Sequence, residues 1–330
     1  GAGTGKTTLL SLLCSSEKIK NGGILLLAPT GKARVKMTQA MIRQNIVCHA
    51  KTVAQFLLES HRYDVDTGNY FLSDVAAIGV PETVIIDESS MLTEEMFGAL
   101  IQALKQAGRI VFVGDPNQLP PIGAGRPFVD LIRLLSEDID PNKFPVVAKS
   151  YGELKITRRQ KNTAGDKKRL DIELSKWYIN APYHTDEEVF EKLQSNQCDP
   201  SISFKMWKTN ENLEQLIFET VKDELNMKHI DDVDQFNRSL GGNVTPNGTY
   251  FNTGCAKFAD DWQILAPVRG MPYGVLNINH LLHYKYRNNF IELAKRKKTR
   301  KIPYPMGSEN IVYGDKVINL LNKRKESYPK

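Results

Sequence analysis

GAGTGKTT, residues 1–8, decides how the rest of the chain is read. It matches the phosphate-binding pattern GxxxxGK[ST] except for the first glycine, which falls just upstream of residue 1. Gly3 and Gly5 let the backbone turn so that successive N–H groups face phosphate oxygens, and Lys6 sets a point charge against the β- and γ-phosphates. Thr7 offers its hydroxyl to Mg²⁺, and Thr4 and Thr8 complete a phosphate-binding stretch from Gly3 to Thr8. The run Thr8–Leu13 is apolar enough for a buried helix whose N-terminus faces the phosphates. Opening inside this motif and without an initiator Met, the chain is expected to be a piece of a longer nucleotide-binding protein.

Working outward, short apolar runs alternate with amphipathic stretches, the pattern of a parallel sheet covered by helices. Ile24–Ala28 reads as a strand, broken by Pro29-Thr30-Gly31 and followed by a helix over Lys32–Arg43. A short helix is expected at Val53–Leu58, and a hairpin between Arg62 and Phe71 around a Thr-Gly-Asn turn. Val84–Ile86 and Ile110–Val113 are further buried strands, with a helix over Thr93–Ala107 capped by Thr93 between them. The polar, proline-bounded stretch Asp138–Pro145 precedes a domain boundary, which divides the chain into residues 1–153 and 154–330. In the second part helices are expected at Lys168–Tyr178, Glu187–Gln194, Asn212–Asn226 and Val275–Tyr286. Strands are expected at Trp262–Ala266 and Asp315–Leu320, and a loop at Gly241–Gly254.

At 330 residues the chain has room for two domains of ordinary size. No apolar run approaches the roughly 20 residues of a membrane span. Cys14, Cys48, Cys198 and Cys255 match no zinc spacing, and a reducing, cytoplasmic compartment is the simple reading. His280 and His283 share a helical face without further ligands, so no transition metal is assigned. The net charge of +6 is unevenly placed: residues 261–330 carry 14 Lys/Arg against five Asp/Glu, whereas residues 161–260 carry 12 against 17. The basic run Lys295–Lys301 could track a nucleic-acid backbone or be a solvated helix end.

Three further groups converge on the phosphate site. Val84–Ile86 ends on Asp87-Glu88, two carboxylates at the C-terminal edge of a central strand, where α/β proteins bind ligands. Asp87 can hold Mg²⁺ and Glu88 can accept a proton from an attacking water. Gly114–Ile122, GDPNQLPPI, sets the Gln118 amide at the end of the adjacent strand, within reach of a γ-phosphate or of that water. Together with Lys6 these specify nucleoside triphosphate hydrolysis. Thr30, Gly31 and Lys32 bring a hydroxyl, free N–H groups and a cation together at a helix start, which suits a nucleic-acid phosphate; helix capping is the alternative reading of Thr30. Phe56, Tyr70, Phe71 and Tyr273 are candidate base-stacking platforms, among which the sequence does not choose.

The ordered set of motifs resembles that of RecD-like superfamily 1B DNA helicases. The match runs through the opening P-loop (motif I), APTGKAR at 28–34 (Ia), AKTVAQFL at 50–57 (the Ib region), IIDESSML at 85–92 (II), GDPNQLPPIGAG at 114–125 (III) and ITRRQ at 156–160 (IV). Further on, QILAPVRGMPYGVLNIN at 263–279 and GDKVINLLNK at 314–323 resemble stretches of the second motor domain. The resemblance implies a P-loop NTPase of RecA-like α/β fold, a parallel sheet with helices on both faces, followed by an incomplete second RecA-like domain. It implies ATP and Mg²⁺ as cofactors, single-stranded DNA or a tailed duplex as partner, 5′ to 3′ movement, and a setting such as DNA repair or recombination. It implies that Arg159 contacts the γ-phosphate and that Thr30, Lys32 and Thr52 contact nucleic acid. Motifs V and VI are not met before Lys330, so the chain as it stands is expected to hydrolyse ATP poorly. The rival readings are a P-loop ATPase that does not unwind and an ATP-gated nucleic-acid scaffold.

Overall fold

A computed structural model describes residues 5–76, 78–137, 139–140, 144–154, 170–178, 188–195, 202–296 and 303–318. The chain divides into two compact units, residues 1–184 and 185–330.

Unit 1 runs α1 (Lys6–Ser15), α2 (Glu17–Lys20), β1 (Ile24–Ala28), α3 (Gly31–Arg43), β2 (His49–Thr52), α4 (Val53–Glu59), β3 (Thr83–Ile86), α5 (Glu94–Ala103), β4 (Arg109–Phe112) and α6 (Pro127–Leu135). A two-stranded antiparallel ribbon, β5 (Val147–Ala148) and β6 (Tyr151–Gly152), and α7 (Leu170–Trp177) follow. The main sheet has the order β2-β1-β3-β4, with Leu26 opposite Ala50 on one side and Ile85 on the other, all pairs parallel.

Parallel strands need crossovers, and the helices between them cover both faces. Alternation along β1 sends Leu25 and Leu27 into a core with Val53, Phe56, Leu57, Met96 and Leu100 from α4 and α5. Ile24, Leu26 and Ala28 go to the opposite core, with Leu10 and Cys14 of α1 and Met37 and Met41 of α3. A strand apolar at every position is therefore buried on both sides, and the expected α/β sheet is present.

Between α4 and β3 the chain turns back on itself as expected, although only Tyr63 and Tyr70 form a bridge pair. Arg62 anchors this excursion. Its guanidinium is buried and donates to Gln102 Oε1 and to the carbonyls of Ser60, Ser73 and Val75. A buried cation is tolerable when every donor has a partner.

Unit 2 runs α8 (Glu188–Gln194), α9 (Asn210–Glu224), α10 (Val233–Ser239), β7 (Asn243–Thr245), β8 (Gly248–Tyr250) and α11 (Val275–Lys295). Its core joins Val221, Phe236, Ile278, Leu282 and Tyr286, with Phe236 and Tyr286 stacked at 4.1 Å. Three expectations are corrected here. Gly241–Gly254 is not all loop, because Val244 and Thr249 pair across a Pro246-Asn247 turn as a hairpin. Residues 262–266 and 315–318 are not strands; they meet through Lys316 Nζ donating to the Trp262 carbonyl at 3.0 Å, without a ladder. The last helix continues past Tyr286 to Lys295 because Arg287 is buried rather than solvated.

Candidate active site

The strand ends of unit 1 bring the site together. Gly5 sits at φ 89°, a left-handed conformation that glycine adopts without penalty, and its carbonyl accepts from Leu9 N–H to start α1. Lys6, Thr7 and Thr8 therefore form the first turn, the helix end whose N–H groups have no intrahelical acceptor and whose dipole favours an anion. No side chain caps this end. Gly3, Thr4 and Arg159 lie outside the described residues.

At the end of β3 the ladder continues for one more residue, with Asp87 N–H on the Leu27 carbonyl and Val113 N–H on the Ile86 carbonyl. Asp87 Oδ1 then accepts from Glu88 N–H at 2.9 Å. Glu88 stands at φ 53°, an uncommon conformation for a residue with a side chain and one concentrated at functional turns. Its Oε2 is buried without a hydrogen-bond partner. Burial raises the Asp87 carboxyl above the usual range, against the Glu88 N–H and the Lys6 charge. Burial also raises Glu88, helped by the charge of Asp87 and opposed by Lys6.

The end of β4 supplies a carboxylate to which the sequence reading gave no role. Asp115 is 3% exposed, and its Oδ2 lies 3.6 Å from Lys6 Nζ. Its other oxygen accepts from Asn117 N–H and its carbonyl from Gln118 N–H, so one residue both pairs the P-loop lysine and shapes the turn that carries Gln118. The Gln118 side chain is exposed. Gly114 is fixed by space: a Cβ there would lie 2.8 Å from the Phe128 ring. Farther along, Glu94 N–H donates to the Ala124 carbonyl, tying the loop to the start of α5. The signal for Asp115 was present, since it follows an apolar strand as Asp87 does.

Thr30 caps α3 by accepting from Ala33 N–H at 3.2 Å, with Lys32 exposed beside it. The cap uses the hydroxyl oxygen as acceptor and leaves its proton free to donate. Thr52 is buried and caps α4 in a reciprocal capping box with Gln55, which gives it a structural occupation. Phe56 is corrected as a platform, being buried in the core, and Tyr70 packs against Tyr63. Phe71 and Tyr273 are exposed.

The site fits a magnesium nucleotide. Two carboxyls raised by burial and an orphaned Glu88 oxygen need a cation, and the first turn of α1 needs an anion. Among the described residues no three His, Cys, Asp or Glu side chains form a metal cage. No helix among them is long and apolar enough to cross a membrane.

These features define unit 1 as a P-loop NTPase, and residues 1–144 match the family model described as an AAA domain. An uncharacterized protein of Methanocaldococcus jannaschii is 28% identical over 98% of this chain and 26% of its own length. The RecBCD enzyme subunit RecD of Mycolicibacterium smegmatis is 32% identical over 40% of this chain and 26% of its own. The ATP-dependent RecD2 DNA helicase of Deinococcus radiodurans is 28% identical over 47% of this chain and 21% of its own. The chain thus spans about a quarter of the length of the curated relatives it matches. Over the stretches matched, the chain is similar to the RecD and RecD2 proteins.

Proposed function

We propose that this chain carries the ATP-hydrolysing motor of a DNA helicase or translocase that moves 5′ to 3′ along single-stranded DNA. The observation that carries the reading is the convergence of Lys6, Asp115, Asp87 and Glu88 at the ends of helix α1 and strands β3 and β4. Lys6 and the first-turn N–H groups of α1 hold the β- and γ-phosphates, and Gly3 to Thr8 wrap them. Thr7 and Asp87 would hold Mg²⁺, which supplies charge neutralisation at the phosphate oxygens when bound. Glu88, half-buried and raised above the usual carboxylate range, takes a proton from the attacking water. Gln118 orients that water or senses the γ-phosphate, and Arg159 stabilises the charge that develops there. Thr30 and Lys32 take a strand phosphate at the start of α3, so strand and nucleotide act on neighbouring ends of one sheet. Residues 154–330 belong to a second motor domain, and hydrolysis is coupled to steps along the strand.

The name of the RecD2 relative, an ATP-dependent DNA helicase, supports the DNA substrate and the ATP dependence. The test is ATP turnover by the full-length protein with and without single-stranded DNA, and unwinding of duplexes tailed at either end. Turnover should rise with single strand, and 5′-tailed duplex should open. Unwinding from a 3′ tail alone would overturn the polarity, and strand-independent turnover without unwinding would leave an ATPase of another kind.

A further inference from the structure

Unit 2 presents an aromatic pair that the nucleotide site does not use. Trp207 and Tyr273 are 40% and 37% exposed, and their ring centroids lie 5.7 Å apart at 42°. Rings so tilted and so close leave no room for a base between them, but their outer faces form a shelf.

The shelf is held firmly. Trp207 stands just before α9, where Lys208 N–H donates to Asn212 Oδ1 and Thr209 caps the helix. Tyr273 stands just before α11, in a knot closed by Gly274 N–H and Asn277 Nδ2 on the Met271 carbonyl, Val275 N–H on the Val268 carbonyl and Leu276 N–H on the Arg269 carbonyl. Gly274 is obligatory in this knot, since a Cβ would come within 2.7 Å of the Arg269 carbonyl. The charge around the pair has one sign in sequence. Residues 202–208 contain Lys205 and Lys208, residues 262–280 contain Arg269, and neither stretch contains Asp or Glu. Lys205 is held on α9 by Thr220 and Asp223, while Lys208 and Arg269 are exposed. Exposed aromatic faces beside cations suit the bases and phosphates of an unpaired strand, and the exposed Met206 and Met271 next to them extend the apolar surface on which bases can rest.

We infer that Trp207 and Tyr273 form a base-stacking subsite for single-stranded nucleic acid, with Lys208 and Arg269 beside it for the backbone. The inference rests on the single-strand reading proposed above and adds a site to it. Oligothymidylate titrated into the protein should quench tryptophan fluorescence. W207F should lose most of that quench yet bind within about threefold of the parent. W207A/Y273A should bind roughly five- to a hundredfold more weakly, the span expected when a stacking ring is truncated. An abasic strand of the same length should bind parent and double variant alike. Equal oligothymidylate affinity of parent and W207A/Y273A would overturn the subsite and leave the motor reading standing. An equal loss for the abasic strand would assign the patch to backbone contact and overturn stacking. No strand binding by the parent would overturn both.

Discussion

Lys6 and Asp115 are 109 positions apart in the chain, yet Lys6 Nζ rests 3.6 Å from an Asp115 carboxylate that is almost wholly buried. The P-loop cation is thus paired to the loop that carries Gln118. Removing one charge of a buried pair costs more than removing both, because the survivor is left without compensation. Lys6→Ala should therefore lower the melting temperature and abolish nucleotide binding. Lys6→Ala with Asp115→Asn should recover most of the lost stability without recovering binding. Thermal melts and titration with a fluorescent nucleotide check both, and a double variant less stable than Lys6→Ala would deny the coupling.

Glu88→Gln should separate stability from turnover. The folded-state value of Glu88 is raised, so between the unfolded and folded values the native state binds more protons, and stability from this group falls as pH rises. Above the folded value Glu88 carries a partly buried charge that costs stability, and the amide removes that cost. The variant should melt at or above the temperature of the parent while turnover drops by about 10²- to 10⁴-fold. A lower melting temperature at pH 7 would contradict this account.

Asp315 should make unit 2 acid-labile. Burial alone would raise its value, but His283, the Val312 N–H and Arg287 outweigh burial and hold it below the usual range. A depressed carboxylate stabilises the fold above its unfolded value, and that stability is lost as pH falls through the folded one. Unit 2 should therefore loosen below about pH 4. Asp315→Asn should imitate the loss at neutral pH, at a cost on the order of 3–5 kcal/mol, because it strands the buried Arg287. Hydrogen exchange at α11 reads both effects, and unchanged protection in Asp315→Asn would refute the assignment.

Gly114→Ala should damage the site without touching a charged group. The new methyl meets Phe128 at 2.8 Å and Ser90 N at 3.0 Å, so the loop must shift. Overpacking of this kind costs roughly 1–3 kcal/mol. Turnover should fall more than stability, since Asp115 is the next residue. Phe128→Ala in the same chain should restore part of the turnover, and a failure to do so would show that the clash is not the cause.

Local pattern sufficed for β1, β3, β4, α3 and α4, because each is short, apolar on the correct period and bounded by Pro, Gly or a capping Thr. It also located Asp87 and Glu88 at the end of β3 and a cap at Thr30. It gave no role to Asp115, whose part depends on a partner 109 residues away, and Arg62, whose burial depends on carbonyls up to 13 residues away. The last helix was cut short because Arg287-Asn288-Asn289 reads as a polar break, although Arg287 packs over Phe290 and pairs with Asp315. The hairpin at 243–250 hid among turn formers, and among the described residues the strands expected at Trp262–Ala266 and Asp315–Leu320 lack what no single segment reveals, a neighbour to pair with; residues 319 and 320 lie outside the described ones.

The ladder that carries Asp87 N–H to Leu27 and Val113 N–H to Ile86 has one more implication. Asp87 is the last residue that the ladder holds, and Glu88 turns out of it at φ 53°, so sheet register fixes which acid sits on the strand end and which on the turn. Losing one residue from β3 would preserve both acids in the sequence, yet bring Glu88 to the register position of Asp87 and draw Asp87 back into the strand. The roles proposed for the two acids are thus written in the spacing between Thr83 and Asp87, four positions that contain no carboxylate.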